Sequence, residues 1–253
     1  MRDLTYPATV LAVRAAFAAL GVRVDMAGTE HVPSSGGAVL AFNHLSYVDF
    51  IFGGFAARPS GRLVRFMAKR ELFVHRLVGP YMRSLRHIEV DRADGKDSYD
   101  VALGRLAAGE VVGLFPEATL SRSMELKSFK TGAARMAGAA GVPLVPVVMW
   151  GTQRMYTKDH PRDFSRGQQV SISVGEPLEA TRADPIGTTR ELHTRMGALL
   201  DETIARYPEC PEGAWWVPRS RGGSAPTPDE AKRLDAAEMR ARAERRRAAR
   251  AGG

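Results

Sequence analysis

An α/β fold, with a mostly parallel sheet flanked by helices, is the architecture that this sequence favours. Seven short runs rich in valine, leucine, isoleucine and phenylalanine alternate with longer segments of helical spacing, as in parallel strands joined by helices. Several of these runs are apolar at nearly every position, which is typical of strands covered on both faces. A chain of 253 residues with 44% hydrophobic residues can form one such domain with short appendages.

The first predicted element is an N-terminal helix over 7–20, within a segment 1–24. Pro7 suits the first turn of a helix. Arg14 and the short apolar length argue against a signal peptide and against a membrane-spanning helix. The larger apolar side chains, predicted to form one face, are Leu4, Leu11, Phe17 and Leu20. Such a face suits the protein core or a membrane interface, and we include it in the fold prediction as a membrane-interface helix.

The other elements alternate along residues 25–206, which we predict to form a single domain. Strands are predicted at 22–26, 38–42, 63–68, 87–90, 111–115, 144–150 and 170–174. Helices are predicted at 71–86, 98–107, 131–140 and 188–206, and an apolar run leading into a helix occupies 47–57. Gly109 follows the helix at 98–107 as a C-terminal cap, and Gly79-Pro80 is expected to interrupt the helix at 71–86.

The last segment, 207–253, differs in composition from the rest. Proline and glycine are frequent at its start, and 229–250 is helix-prone and highly charged. Eight basic and five acidic residues in 229–253 give a net charge of +3 there. Low hydrophobicity predicts a solvated or partly disordered tail, and electrostatic binding to acidic lipid is the alternative.

The formal net charge of +8 favours anionic partners, namely phosphorylated metabolites, acidic lipid surfaces or nucleic acid. No recognition motif or aromatic-interleaved basic stretch supports nucleic acid, so that class is disfavoured. Cys210 is the only cysteine and has no histidine nearby in sequence, which makes it a poor nucleophile. The six histidines form no ligand cluster with cysteine or acidic residues, and no metal site is predicted.

The most informative segment is Asn43-His44, followed after four residues by Asp49. It lies where a predicted strand gives way to a helix. A neutral imidazole can take a proton from a hydroxyl, and a carboxylate can orient the ring and stabilise the imidazolium that forms. The same residues also match a capping box, with Ser46 and Asp49 closing a helix start. Spacing alone favours capping, and the two roles are compatible.

Polar residues follow four of the predicted strands directly. They are His44, Lys69, Arg92 and Glu117. The carboxyl ends of parallel strands lie at one edge of a sheet, where ligands collect. We therefore expect these four residues to converge on one cleft.

Four segments occur in a specific order over residues 39–148. They are Asn43-His44-x4-Asp49, Ala68-Lys69-Arg70-Glu71-Leu72-Phe73, Phe115-Pro116-Glu117-Ala118-Thr119-Leu120-Ser121 and Val142-Pro143-Leu144-Val145-Pro146-Val147. This set resembles the glycerolipid acyltransferase family that includes the 1-acylglycerol-3-phosphate acyltransferases. The resemblance implies the fold of glycerol-3-phosphate acyltransferases, and it raises catalysis by His44 and Asp49 above capping alone.

The resemblance also implies roles for individual residues. His44 corresponds to the catalytic base and Asp49 to its partner. The implied substrate-binding residues are Asn43, Lys69, Arg92, Glu117, Thr119 and Arg122. Two positions depart from the family pattern, since Ala118 replaces a glycine and Leu120 replaces an arginine. Arg122 is expected to supply the missing phosphate contact.

The implied reaction moves an acyl group from acyl-CoA or acyl-carrier protein to the free hydroxyl of lysophosphatidic acid (1-acylglycerol 3-phosphate), giving phosphatidic acid. It needs no cofactor besides the acyl-CoA co-substrate, and no metal. An anionic membrane surface is the expected partner, at the cytoplasmic face of the cell membrane and in a peripheral or monotopic arrangement. The alternatives are glycerol 3-phosphate or another lysophospholipid as acceptor, and a non-catalytic lipid-binding relative.

Overall fold

The computed structural model describes residues 5–91 and 95–251. Its helices are α1 (Thr5–Leu20), α2 (Asp49–Ala56), α3 (Arg70–Val74), α4 (Val78–Ser84), α5 (Gly95–Ala107), α6 (Gly132–Ala140), α7 (Pro185–Arg206) and α8 (Pro228–Ala251). Its strands are β1 (Arg23–Ala27), β2 (Ala38–Phe42), β3 (Val64–Lys69), β4 (Ile88–Val90), β5 (Val111–Leu114), β6 (Leu144–Trp150) and β7 (Gln169–Val174). Each predicted strand is present, with ends shifted by one residue or less.

The strands form one sheet in the order β1-β7-β6-β2-β5-β3-β4. All neighbouring pairs are parallel except β6 and β7. Strands β6, β2, β5, β3 and β4 therefore run in one direction, and we call the edge at which they end the carboxyl edge. This mostly parallel α/β sheet confirms the predicted fold class.

The centre of the sheet is the core of the protein. Every residue of β2 and β6 is buried, which explains why both runs are apolar throughout. Phe42 packs against Phe66 with ring centroids 5.3 Å apart. A Cβ atom on Gly113 of β5 would lie 2.5 Å from Cγ1 of Val64 and about as close to both rings, at 3.0 and 3.1 Å. The aromatic layer beneath the carboxyl edge therefore requires glycine there.

Helix α1 packs on this core through part of its surface. Phe17 stacks on Phe52 with centroids 4.7 Å apart, and the hydroxyl of Tyr6 donates to the carbonyl of Val64 at 3.1 Å. Leu11, in contrast, is 67% exposed. The predicted single apolar face is therefore wrong, because six helical residues turn Leu11 roughly 120° away from Phe17. Leu4 lies outside the described residues.

Helices α3 and α4 replace the single interrupted helix predicted over 71–86. The chain leaves the helix at residues 75–77, before Gly79-Pro80. A Cβ atom on Gly79 would lie 2.0 Å from the carbonyl oxygen of Phe73, so this glycine permits close approach of the two helices rather than the break. Pro80 lies in the first turn of α4, where a missing N–H is tolerated. Among the described residues, no helix has the length and apolar character needed to cross a bilayer.

The chain divides into two compact units. The first comprises residues up to Leu120 together with Ser128–Tyr207, and contains the whole sheet. The second comprises Ser121–Lys127 and the chain from Pro208 onward. Within it, the guanidinium of Arg122 pairs with the carboxylates of Asp235 and Glu238 on α8. The helix-prone, highly charged stretch predicted at 229–250 is helical here as α8, and most of its described side chains are exposed.

Candidate active site

His44 and Asp49 form a hydrogen-bonded pair at the carboxyl edge. His44 lies in the loop between β2 and α2, and its Nδ1 is 3.0 Å from Oδ2 of Asp49. The histidine side chain is 22% exposed and the aspartate side chain only 1%. A carboxylate only accepts hydrogen bonds, so Nδ1 carries the proton and the lone pair is on Nε2. This arrangement suits His44 as a general base.

Asp49 also holds the loop that carries His44. Its Oδ2 accepts the N–H groups of Leu45 and Ser46, both at 2.7 Å. Its Oδ1 accepts the hydroxyl of Thr152 at 2.6 Å. The bond from the Ser46 N–H is the backward bond of a capping box, although α2 itself begins at Asp49 and has no side-chain cap. Asp49 therefore both stabilises the loop backbone and orients the imidazole of His44.

The loop after β6 forms further hydrogen bonds with the His44 loop. The hydroxyl of Ser46 donates to the carbonyl of Tyr156 at 2.6 Å, and that of Thr157 donates to the carbonyl of Leu45 at 2.6 Å. The ring of Tyr47 packs on that of Tyr156 with centroids 4.6 Å apart. These contacts hold the histidine loop through residues that are not part of the Asn43-His44-x4-Asp49 motif.

Asn43 joins β2 to β6 below the pair. It is fully buried, its Nδ2 donates to the carbonyl of Met149 at 2.9 Å, and its Oδ1 accepts the N–H of Met149 at 2.7 Å. The amide thus anchors the strand end that bears His44. The geometry gives no support to direct substrate binding by Asn43.

Glu117 and Phe115 flank His44 on the β5 side. Oε1 of Glu117 accepts the backbone N–H of His44 at 2.9 Å, and Glu117 is 5% exposed. The ring of Phe115 stacks on the imidazole with centroids 4.1 Å apart. Glu117 therefore positions the histidine, whereas acceptor binding by Glu117 and by the half-buried Thr119 stays a prediction.

Ala118 adopts a backbone conformation that favours glycine. Its φ is +60°, in the left-handed region, and its N–H donates to the carbonyl of Phe115 at 3.0 Å. The structure thus explains why the resembling family has glycine at this position. Leu120 is 3% exposed, so the position where that family has arginine is an apolar buried one here.

The ends of β3 and β4 lie side by side at the same edge. Lys69 is paired in register with Val90. The next residues form an ion pair, with Nη1 of Arg70 at 2.6 Å from Oδ2 of Asp91, and this hydrogen bond raises the pKa of Arg70. Arg92 itself lies outside the described residues, and its role stays a prediction. The predicted phosphate contact from Arg122 is also untested, since that residue belongs to the second unit.

The topology brings three of the four predicted strand-end residues to the carboxyl edge. His44 and Glu117 follow β2 and β5, Lys69 is the last residue of β3, and Glu117 contacts His44 directly. The expected convergence on one cleft stays a prediction, since Arg92 lies outside the described residues.

Thr152 is a hydrogen-bond partner of Asp49 that the sequence argument missed. It follows β6 just as His44 follows β2, so the strand-end rule would have found it.

The chain is similar to proteins of a known family. The protein family described as Acyltransferase matches residues 23–150. A 1-acyl-sn-glycerol-3-phosphate acyltransferase of Bacillus subtilis is 30% identical over 156 residues, covering 61% of this chain and 73% of that protein. The 1-acyl-sn-glycerol-3-phosphate acyltransferase alpha of Homo sapiens is 34% identical over 171 residues, covering 66% of this chain and 59% of that protein.

The chloroplastic 1-acyl-sn-glycerol-3-phosphate acyltransferase LPAT1 of Arabidopsis thaliana is 28% identical over 183 residues, with 71% of this chain but only 49% of that protein covered. The chain thus spans between half and three quarters of these relatives' lengths. Among solved structures, the 1-acyl-sn-glycerophosphate acyltransferase PlsC from Thermotoga maritima superimposes with a TM-score of 0.63 at 25% identity. The superposition covers 78% of each chain.

Proposed function

The chain belongs to the Acyltransferase family and is an O-acyltransferase, and on that premise we propose that its acceptor is 1-acylglycerol 3-phosphate. The observation that carries this proposal is the His44–Asp49 pair, held at the carboxyl edge by Glu117 and Thr152. The names of the relatives support the acceptor. The donor is an acyl thioester of coenzyme A or of acyl-carrier protein.

The chemistry follows from the geometry of the pair. Nε2 of His44 takes the proton from the acceptor hydroxyl while the oxygen of that hydroxyl forms a bond to the thioester carbonyl carbon. Asp49 stabilises the imidazolium through Nδ1. The carbon–sulfur bond of the tetrahedral intermediate then breaks, the ester remains, and the leaving thiolate takes the proton from Nε2. The proton taken from the acceptor hydroxyl thus leaves with the thiol, and no covalent acyl-enzyme is formed.

The phosphate of the acceptor needs cationic partners near this pair. Lys69 at the end of β3 and Arg92, two residues beyond β4, are the proposed ones. A phosphate with close to two negative charges gains strong charge-assisted hydrogen bonds from such groups. We propose that the protein therefore prefers lysophosphatidic acid to monoacylglycerol, and that it works peripherally at the cytoplasmic face of the cell membrane.

The decisive experiment is replacement of His44 by alanine. Loss of a general base lowers turnover by about 10²–10⁴-fold, so thiol release from acyl-CoA in the presence of lysophosphatidic acid should nearly cease. The matched control is His31→Ala. His31 follows β1, which runs opposite to the five parallel strands, so it lies at the other edge of the sheet.

The control variant should retain turnover, and circular dichroism should show both variants folded. A folded His44→Ala variant with near-normal turnover would refute the mechanism. If the unaltered protein binds lysophosphatidic acid but releases no thiol, the non-catalytic lipid-binding alternative is correct.

A further inference from the structure

Helices α3 and α4 form a hairpin that exposes several large apolar side chains among polar ones. Phe73 and Met82 are buried on its inner side. The side chains that face outward, here called the hairpin surface, are Leu72 (44% exposed), Val74 (66%), Leu77 (75%) and Tyr81 (45%). The buried side chains alone would attach the hairpin to the domain. Four large apolar side chains exposed to water within ten residues therefore need another explanation.

Close packing and hydrogen bonds hold the hairpin in place. Gly79 of α4 lies against the carbonyl of Phe73 on α3, and Nη2 of Arg83 donates to the same carbonyl at 2.9 Å. The hydroxyl of Tyr81 donates to Oγ1 of Thr9 on α1 at 2.8 Å. Since these contacts fix the backbone, the outward apolar side chains are presented on a rigid support.

The hairpin also lies at the functional edge of the sheet. Helix α3 begins at Arg70, the residue after β3 ends at Lys69. Strand β3 runs parallel to β5 and β2, so its carboxyl end shares an edge with His44. A lipid acceptor that reaches His44 has to arrive at this edge.

The charge around the hairpin surface favours an anionic partner. Residues 69–91 contain five lysine or arginine residues and three acidic residues, of which Glu89 and Asp91 pair with Arg70. Arg76 is exposed and lies between Val74 and Leu77 at the tip of the hairpin. Apolar side chains interleaved with arginine suit the boundary between acyl chains and anionic head groups.

We infer that the hairpin surface inserts into an anionic lipid bilayer and so places the carboxyl edge against the membrane. This rests on the proposed function, because a lipid acceptor and product are what make a bilayer the occupant rather than a protein. The inference assigns membrane contact to α3 and α4, whereas the sequence argument looked for it in α1 and the charged tail.

The test compares the full-length protein with the double variant Val74→Asp/Leu77→Asp. Both side chains are exposed, so the changes leave the fold intact, and circular dichroism checks this. Sedimentation with phosphatidylglycerol vesicles should show at least a roughly tenfold loss of binding, because the two carboxylates replace the apolar side chains that insert and are repelled by the anionic head groups. Turnover of a water-soluble short-chain lysophosphatidic acid should be unchanged.

The matched control is Ile186→Asp. Ile186 is 64% exposed on α7 and belongs to the opposite edge, where Leu178 pairs with Leu144 at the start of β6. This variant should bind vesicles as the unaltered protein does. Arg76→Glu should weaken binding to phosphatidylglycerol more than to phosphatidylcholine, and the difference should shrink at high salt.

Unchanged vesicle binding by the double variant would overturn the inference. So would a dimer in analytical ultracentrifugation that the double variant dissociates, because the surface would then contact a second copy. Vesicle binding tests this inference and thiol release tests the proposed function, so one can fail while the other holds. Hairpin-dependent vesicle binding without thiol release would sustain the inference and refute the enzyme mechanism. Thiol release with vesicle binding that does not depend on the hairpin would sustain the mechanism and overturn the inference.

Discussion

Replacing Ala118 by glycine should stabilise the protein. Ala118 is exposed and has a φ of +60°, so its methyl group gains little from burial and strains the backbone. The left-handed conformation costs a non-glycine residue about 1–2 kcal/mol. Glycine removes that strain and keeps the hydrogen bond from the residue-118 N–H to the carbonyl of Phe115.

The gain is smaller than the strain, because glycine also gives the unfolded chain more freedom. That term is worth about 0.4–1 kcal/mol in the opposite direction. The net stabilisation should therefore be roughly 0.5–1 kcal/mol. For a protein of this size, 1 kcal/mol corresponds to a shift of about 2–4 °C in Tm, so an increase of roughly 1–4 °C is expected.

Differential scanning calorimetry and urea unfolding measure this directly. The control is Ala198→Gly, at an exposed interior position of α7, which should lower stability by about 0.5–1 kcal/mol. The two alanine-to-glycine changes should thus have opposite signs. A Tm for Ala118→Gly that falls with that of Ala198→Gly would refute the argument from backbone strain. Turnover should change little, since the change keeps the backbone hydrogen bond that holds this turn.

Two further predictions concern the rate. Thr152→Val removes the hydroxyl that donates to Oδ1 of Asp49, and loss of a hydrogen bond to a charged group, about 1.5–3 kcal/mol, should lower kcat by at least tenfold with KM unchanged. Thr152→Ser should restore kcat, and a fall in the unfolding midpoint without a fall in kcat would make the contact merely structural. Arg92→Ala should lower kcat/KM for lysophosphatidic acid by roughly one to two orders of magnitude and leave a monoacylglycerol acceptor unaffected. Equal losses on both acceptors would show that Arg92 does not bind phosphate.

The strand ends were predictable because a parallel sheet converts local order into spatial order. His44, Lys69 and Glu117 each follow an apolar run, and parallel strands have their carboxyl ends at one edge. The position of the residues along the chain therefore indicated the site before any contact was known. The His44–Asp49 pair was predicted from the family resemblance, and it forms because Asp49, five residues after His44, begins the helix that follows the His44 loop.

Other features depended on contacts between distant segments. Thr152 reaches Asp49 across 103 residues, because β6 pairs with β2 in a particular register. Arg122, predicted as a phosphate ligand, pairs with Asp235 and Glu238, and no local pattern indicates partners more than 110 residues away.

The sequence by itself determined the strands to within one residue at each end, the mostly parallel character of the sheet and the edge that bears His44, because each depends on short-range patterns of burial and chain direction. Only the tertiary structure decided which partner each polar group has. Glu117 holds the backbone of His44, and Asn43 holds Met149. It also decided that Phe17 packs inward while Leu77 faces outward, because burial of an apolar side chain depends on which neighbouring element covers it.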